Sequence, residues 1–265
     1  GHRYDFFCSL APGANETEAP GATLPPGYFF ARIAANSFVN PTTPEASTKV
    51  PEVTLNNPGN AEQKSKHIYY LLWKKVIEDV IFVNDNFSEP IIKTNVGNFT
   101  KTYSINDIMP RNSDSDGSIQ MNLYNGLFTQ TNWNLRSRYN NVPVMTDINK
   151  AIVGSLQTEF LDDQSKTQYF QNPLSNVRVV IFGHTHKPMI KSMKNLDGQD
   201  CIYANSGTWE DLKTRDKSTA IDQDAQKMNF IIVAPVNSDK RKLHIGLYQY
   251  KYGKHVIGES KEIIL

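Results

Sequence analysis

The chain has 265 residues, 39% of them hydrophobic and 21% charged, with 28 basic side chains against 27 acidic ones and a net charge of +1. That length suffices for one large α/β domain or two small ones, and the composition is that of an ordinary globular protein. A near-neutral balance without long basic runs argues against a nucleic-acid or anionic-lipid surface, and no apolar run reaches membrane-spanning length. The only cysteines, Cys8 and Cys201, lie far apart and outside any metal-knuckle spacing. They are expected as free thiols, which leaves the redox compartment open.

Gly1-His-Arg-Tyr-Asp-Phe-Phe7 opens the chain with an ionisable cluster, and no signal-peptide pattern comes after it. Asp5 reads as a solvated loop carboxylate, with orientation of a neighbouring imidazole as its alternative use. Residues Ala11 to Pro26 and Asn40 to Pro58 are rich in loop-forming residues, which predicts excursions over an active-site face. Between them Gly27 to Ala35 is aromatic and apolar, fitting a strand or a helix start. The first clear helix has Asn57 as N-cap, Pro58 at its first position, and Ile68, Leu71, Leu72, Val76, Val80 and Val83 along one face. Tyr69, Tyr70 and Trp73 widen that face and read as core packing.

From Phe87 to Asn141 the residues Asn, Ser, Thr and Tyr dominate, which predicts irregular structure with short strands or helical turns. Within it Asn112-Ser-Asp-Ser-Asp-Gly-Ser-Ile119 has the front of a calcium loop, but Leu123 stands where the bidentate Glu belongs. A polar surface turn is expected there. Thr146 then caps a second helix marked by Ile148, Ile152, Leu156 and Phe160, ending around Asp162 to Ser165, and Asn172-Pro173 resets the chain.

The strongest chemical signal lies in Val177-Arg-Val-Val-Ile-Phe-Gly-His-Thr-His-Lys-Pro188. Val179 to Phe182 read as a strand covered on both faces, and Gly183 permits a sharp exit. In extended backbone His184 and His186 project to the same side, which makes half of a transition-metal site. Spacing alone leaves open two satisfied loop histidines. After Cys201-Ile-Tyr-Ala-Asn-Ser-Gly-Thr-Trp209 comes a charged segment from Glu210 to Lys227, then three strands at Phe230 to Val236, Leu243 to Tyr250 and Val256 to Leu265. His67, His244 and His255 are expected in solvent.

Gly-His-Thr-His-Lys-Pro after a hydrophobic strand, with a later strand ending in Asn-Ser-Gly-Thr, resembles the final metal-binding motif of the calcineurin-like metallophosphoesterases. The resemblance implies an α/β fold of two β-sheets in a sandwich flanked by helices. It also implies hydrolysis of phosphate esters at a dinuclear centre of Zn, Mn or Fe, to which His184 and His186 are ligands. Residues 1–265 would then be the C-terminal portion of one such domain, with 11–60 and 87–141 as loop-rich insertions. Gly1-His-Arg-Tyr-Asp resembles the remainder of a His-Gly-His turn, on which alignment His2 is a further candidate ligand. The family's Asp-x-His, Gly-Asp-x-x-Asp and Gly-Asn-His-Asp/Glu motifs do not occur in this sequence. The expectation is therefore a domain incomplete at its N-terminus, inactive alone, from a secreted or periplasmic enzyme. The alternative is a non-catalytic β-rich module binding a ligand or carbohydrate, in keeping with the abundance of Tyr and Asn. Lys187 beside the turn offers a charge that steers an anion, or is simply solvated.

Overall fold

Residues 1–11, 24–39, 50–79, 86–96, 99–157, 159–185, 187–207, 228–251 and 254–265 are described by a computed structural model. They form a mixed α/β arrangement of helices and several small sheets, divided into two compact units: His2–Leu156, and Gln157–Leu265 together with Gly1. Among the described residues no helix is long and apolar enough to cross a membrane.

In the unit His2–Leu156 the order is α1 (Pro26–Val39), α2 (Ala61–Asp79), β1 (Ile92–Lys93), β2 (Thr102–Tyr103), β3 (Arg111–Asn112), β4 (Ile119–Gln120), α3 (Gln130–Tyr139) and α4 (Ile148–Gly154). The aromatic stretch after Pro26 is a helix: Phe29 and Ile33, one turn apart, are fully buried, and Phe29 meets Phe99, Tyr103 and Tyr124 edge-on. Helix α2 starts later than its apolar pattern suggests. Asn60, not Asn57, is the cap, accepting from the backbone N–H groups of Glu62 and Gln63, because Pro58-Gly59 forms a turn ahead of it. Its buried face runs through Ser65, Tyr69, Tyr70, Trp73 and Ile77, while Leu71 is exposed. The aromatic residues are therefore the centre of the contact surface, and Val80 and Val83 lie outside the described residues.

The calcium-like stretch is the turn of the β3–β4 hairpin, and its polar groups are spent on the fold. Asp116 accepts from Ser118 N, and Asn112 exchanges two hydrogen bonds with the Thr54 backbone. Helix α4 is capped by Asp147 rather than Thr146: the Asp147 carboxylate accepts from Asn149 N and Lys150 N, whereas Thr146 faces Trp133. The expected single helix to Asp162 breaks beyond Gly154. Ser155 Oγ donates back to Ala151 O and accepts from Phe6 N, and the unit boundary comes next, at Leu156.

The opening segment is held by a buried cation. Arg136 on α3 is 3% exposed, lies over the rings of Phe6 and Trp133, and donates through one terminal nitrogen to the carbonyls of Phe6 and Ser9. Burial pulls the guanidinium down to about 10. Asp5 is buried rather than solvated, because its Oδ1 caps the turn by accepting from Phe7 N and Cys8 N at 2.7 and 3.0 Å. Cys8 and Cys201 are both free thiols. Burial and the Asp5 carboxylate push the Cys8 thiol up to about 12.

The unit of Gly1 and Gln157–Leu265 runs α5 (Phe160–Ser165), a π-helical turn Lys166–Phe170, β5 (Val179–Phe182), β6 (Met189–Lys194), β7 (Asp200–Asn205), β8 (Met228–Val236), β9 (Asp239–Lys251) and β10 (Lys254–Ile264). The first sheet has the order β5-β7-β6, with β5 parallel and β6 antiparallel to the central β7; the second is the meander β10-β9-β8. Asn237 and Ser238, both at positive φ, make the two-residue turn between β8 and β9. Ile190, Ile202 and Ala204 of the first sheet share a buried cluster with Ile245, Leu247 and Ile263 of the second. The alternate residues Lys191, Met193 and Phe182 meet Asp162, Ser165 and Tyr169 from the helical segment. Strand β5 is less covered than its apolar run implies: it pairs on one edge, and Ile181 is 44% exposed. His255 is exposed as expected, while His67 and His244 are half-buried, His67 against Tyr70. The segment Glu210 to Lys227 lies outside the described residues.

Truncating Arg136 would strand two carbonyls in the core of its unit. Arg136→Ala is expected to cost about 3 kcal/mol, read in urea unfolding from the fluorescence of Trp73 and Trp133. A loss below about 1 kcal/mol would contradict the clamp.

Candidate functional site

Strands β5 and β7 run parallel in the register Val179↔Ile202 to Phe182↔Asn205, so the segments beyond them leave the sheet at the same level. Ser206 N donates to Phe182 O at 3.0 Å, carrying the pairing one residue past the strands. Gly183-His184-Thr185 and Asn205-Ser206-Gly207, well separated in sequence, thereby become neighbours at the carboxyl ends of two parallel strands, where open α/β sheets place their ligand sites.

The backbone is strained where the first imidazole leaves the strand. His184 has φ 109°, outside the regions that residues with a Cβ ordinarily adopt. Such strain costs about 1–3 kcal/mol and persists only when the surroundings impose it. They do so from β7. Gly207, at φ 72°, packs so closely on Pro188 that a Cβ would come within 3.0 Å of Pro188 Cδ.

Asn205 joins these pieces. It is fully buried, and its Nδ2 donates to Thr185 Oγ1 at 2.8 Å and to the Tyr203 hydroxyl at 3.0 Å, while its Oδ1 accepts from Gly207 N at 2.9 Å. Both amide donors and one carbonyl acceptor site are thus engaged, which satisfies the group and fixes which way it faces. Burial pushes Tyr203 up to about 12, against the Asn205 bond, which lowers it. Lys191, the cross-strand neighbour of Tyr203, reaches the buried Asp162 carboxylate, and this bond raises the Lys191 ammonium above its ordinary value.

Of the residues picked out in the sequence, His184 is half-buried in the turn after β5, and Lys187 is exposed. His186 lies outside the described residues. His2 belongs to the other unit, where it is exposed in the short 3₁₀ turn His2–Tyr4. Sequence reasoning misses Thr185, Tyr203, Asp162 and Lys191. Asp162 and Lys191 give no signal, since one looks like a helix-end carboxylate and the other like a strand-surface lysine; Tyr203 and Asn205, both polar and two apart in an apolar strand, do carry one.

If the surroundings force the strain at His184, a residue without a Cβ should relax it. His184→Gly is expected to exceed His184→Ala in stability by about 1 kcal/mol, after roughly 0.5–1 kcal/mol of unfolded-state entropy is subtracted. Equal unfolding midpoints in urea would remove the strain. Compared with family models, curated proteins and solved structures, the chain has no match.

Proposed function

We propose that this chain carries the histidine-bearing part of a metal-dependent phosphoesterase site, with His184 and His186 as ligands to divalent metal of the Zn, Mn or Fe class. The observation that carries the reading is the juxtaposition of Gly183-His184-Thr185 with Asn205-Ser206-Gly207 through the Asn205–Thr185 bond. These are the two segments paired by the motif that the sequence resembles. Strain at His184 adds support, since backbone strain gathers at functional positions. The two-sheet sandwich belongs to the same reading. It is supported by the buried cluster shared between β5-β7-β6 and β8-β9-β10, and by the helical segment on the opposite face.

Hydrolysis of a phosphate ester needs a nucleophile at neutral pH and a counter-charge for the phosphoryl oxygens, both of which a pair of metal ions supplies when bound. This chain's residues contribute placement. Asn205 and Gly207 hold the turn, the turn aims the imidazole, and Lys187 leaves a positive charge in solvent beside it for an approaching anion. The donor set does not amount to a dinuclear centre. Two imidazoles fall short of the four or more ligands such ions take, and Asp162, the buried carboxylate of this layer, is committed to Lys191. Carboxylates that offset the metal charge would be needed to complete such a centre.

The second reading, a β-rich module binding a ligand or sugar, is favoured by the outward face of the meander, where Phe230 and Tyr248 stack at 5.6 Å and His255 meets Phe230 edge-on. One experiment separates the two. In a protein carrying this chain together with its upstream coding sequence, His184→Ala or His186→Ala is expected to lower metal-dependent hydrolysis of an aryl phosphate by at least about 100-fold. Unchanged turnover, or absence of Asp-x-His and Gly-Asp-x-x-Asp motifs upstream, would favour the binding module.

A further inference from the structure

Asp162 on α5 is 8% exposed. One of its oxygens, Oδ2, is taken by the Lys191 ammonium, which Glu159 also approaches at 3.7 Å. The other, Oδ1, is sealed from solvent and has no hydrogen-bond partner among the described residues. A bare oxygen on a buried carboxylate is costly, and folded proteins satisfy such atoms with an ordered water where a second polar group is at hand. Tyr203 is such a group. It sits directly across from Lys191 on the face of the sheet that α5 covers, and it is fully buried. Its oxygen accepts from Asn205 Nδ2, so its own proton points elsewhere. A hydroxyl donor and a bare carboxylate acceptor thus lie on the same side of β7.

We propose that Asp162 is a positioning residue for the histidine turn, acting through a buried water that bridges its Oδ1 to the Tyr203 hydroxyl. The line then runs from Asp162 through the water, Tyr203 and Asn205 to Thr185, next to His184. Its direction is fixed at the charged end. The carboxylate can only accept, so the Tyr203 proton turns toward the water and leaves the phenolic oxygen for Asn205 Nδ2. That orientation leaves Asn205 Oδ1 for Gly207 N and the second Nδ2 hydrogen for Thr185. The importance of this line for metal binding rests on the reading of His184 and His186 as ligands; its existence does not.

The test is a double-mutant cycle of Asp162→Asn and Tyr203→Phe in the chain as it stands. Two readouts are used: amide hydrogen exchange at Ser206 and Gly207, whose N–H groups bond Phe182 O and Asn205 Oδ1, and zinc affinity by competition with a chromophoric chelator. Each single variant is expected to speed exchange at both amides by about 10-fold and to weaken zinc binding by about 10–100-fold, with the double variant no worse than the worse single one. Independent, multiplying effects would overturn the line, as would unchanged exchange in Tyr203→Phe, which leaves the Lys191 ion pair intact should Asp162→Asn fail to fold. A wild-type chain that takes up no zinc would sink the ligand reading, while the exchange cycle would still decide the line itself.

Discussion

The parallel pairing of β5 with β7 is the constraint on which the site depends. It sets Phe182 beside Asn205, and that single register produces the alignment of the two turns, the reach of Asn205 to Thr185 and the closeness of Gly207 to Pro188. A one-residue slip would turn Asn205 away from α5 and toward the second sheet, where it would replace Ala204 in an apolar cluster. The polar hub and the apolar cluster therefore enforce each other. Tyr203 and Asn205 need the helix-facing side, and Ile202 and Ala204 need the other.

Some departures from local rules lie on and beside the first sheet, while others, such as Tyr124 and Asn141 at positive φ and the buried nitrogens of Arg136 that are unpartnered among the described residues, lie in the other unit. A non-glycine residue at φ 109°, a fully buried asparagine and a buried carboxylate with one bare oxygen all belong to the same side of one three-stranded sheet and its connections. Folded chains tolerate such features where a site demands them. The other unit makes a different use of buried polarity. There Arg136 sits over aromatic rings and ties two carbonyls to a helix, a fastening role.

Much of this is legible in the sequence, and the reasons for the rest are physical. The run Val179 to Phe182, the alternation around Ile245 and Leu247 and the Gly-His-Thr-His turn carry period and punctuation, and the strands among them stand where expected. The caps are misplaced by one to three residues because Asn57 and Asn60, or Thr146 and Asp147, are chemically equivalent candidates until the chain is folded. Helix α3 is hidden because it buries Trp133, Arg136 and Ser137, a face with little apolar signal. The regular Ile148-to-Phe160 spacing conceals a break, since periodicity does not register that Ser155 satisfies the backbone at the end of one unit. Asp162 is invisible for a similar reason. Its partner Lys191 lies on a strand far along the chain, and only the fold brings them together.

The central claim is that the turn after β5 is a metal-binding half-site. X-ray absorption at the zinc edge, on the chain at millimolar concentration with zinc below equivalence, addresses it directly. The account predicts a shell of two imidazole nitrogens at about 2.0–2.1 Å with the remaining positions filled by water oxygen, and loss of one imidazole on replacing His184 by Ala. A zinc spectrum without imidazole scattering, or one unchanged by that replacement, would contradict it.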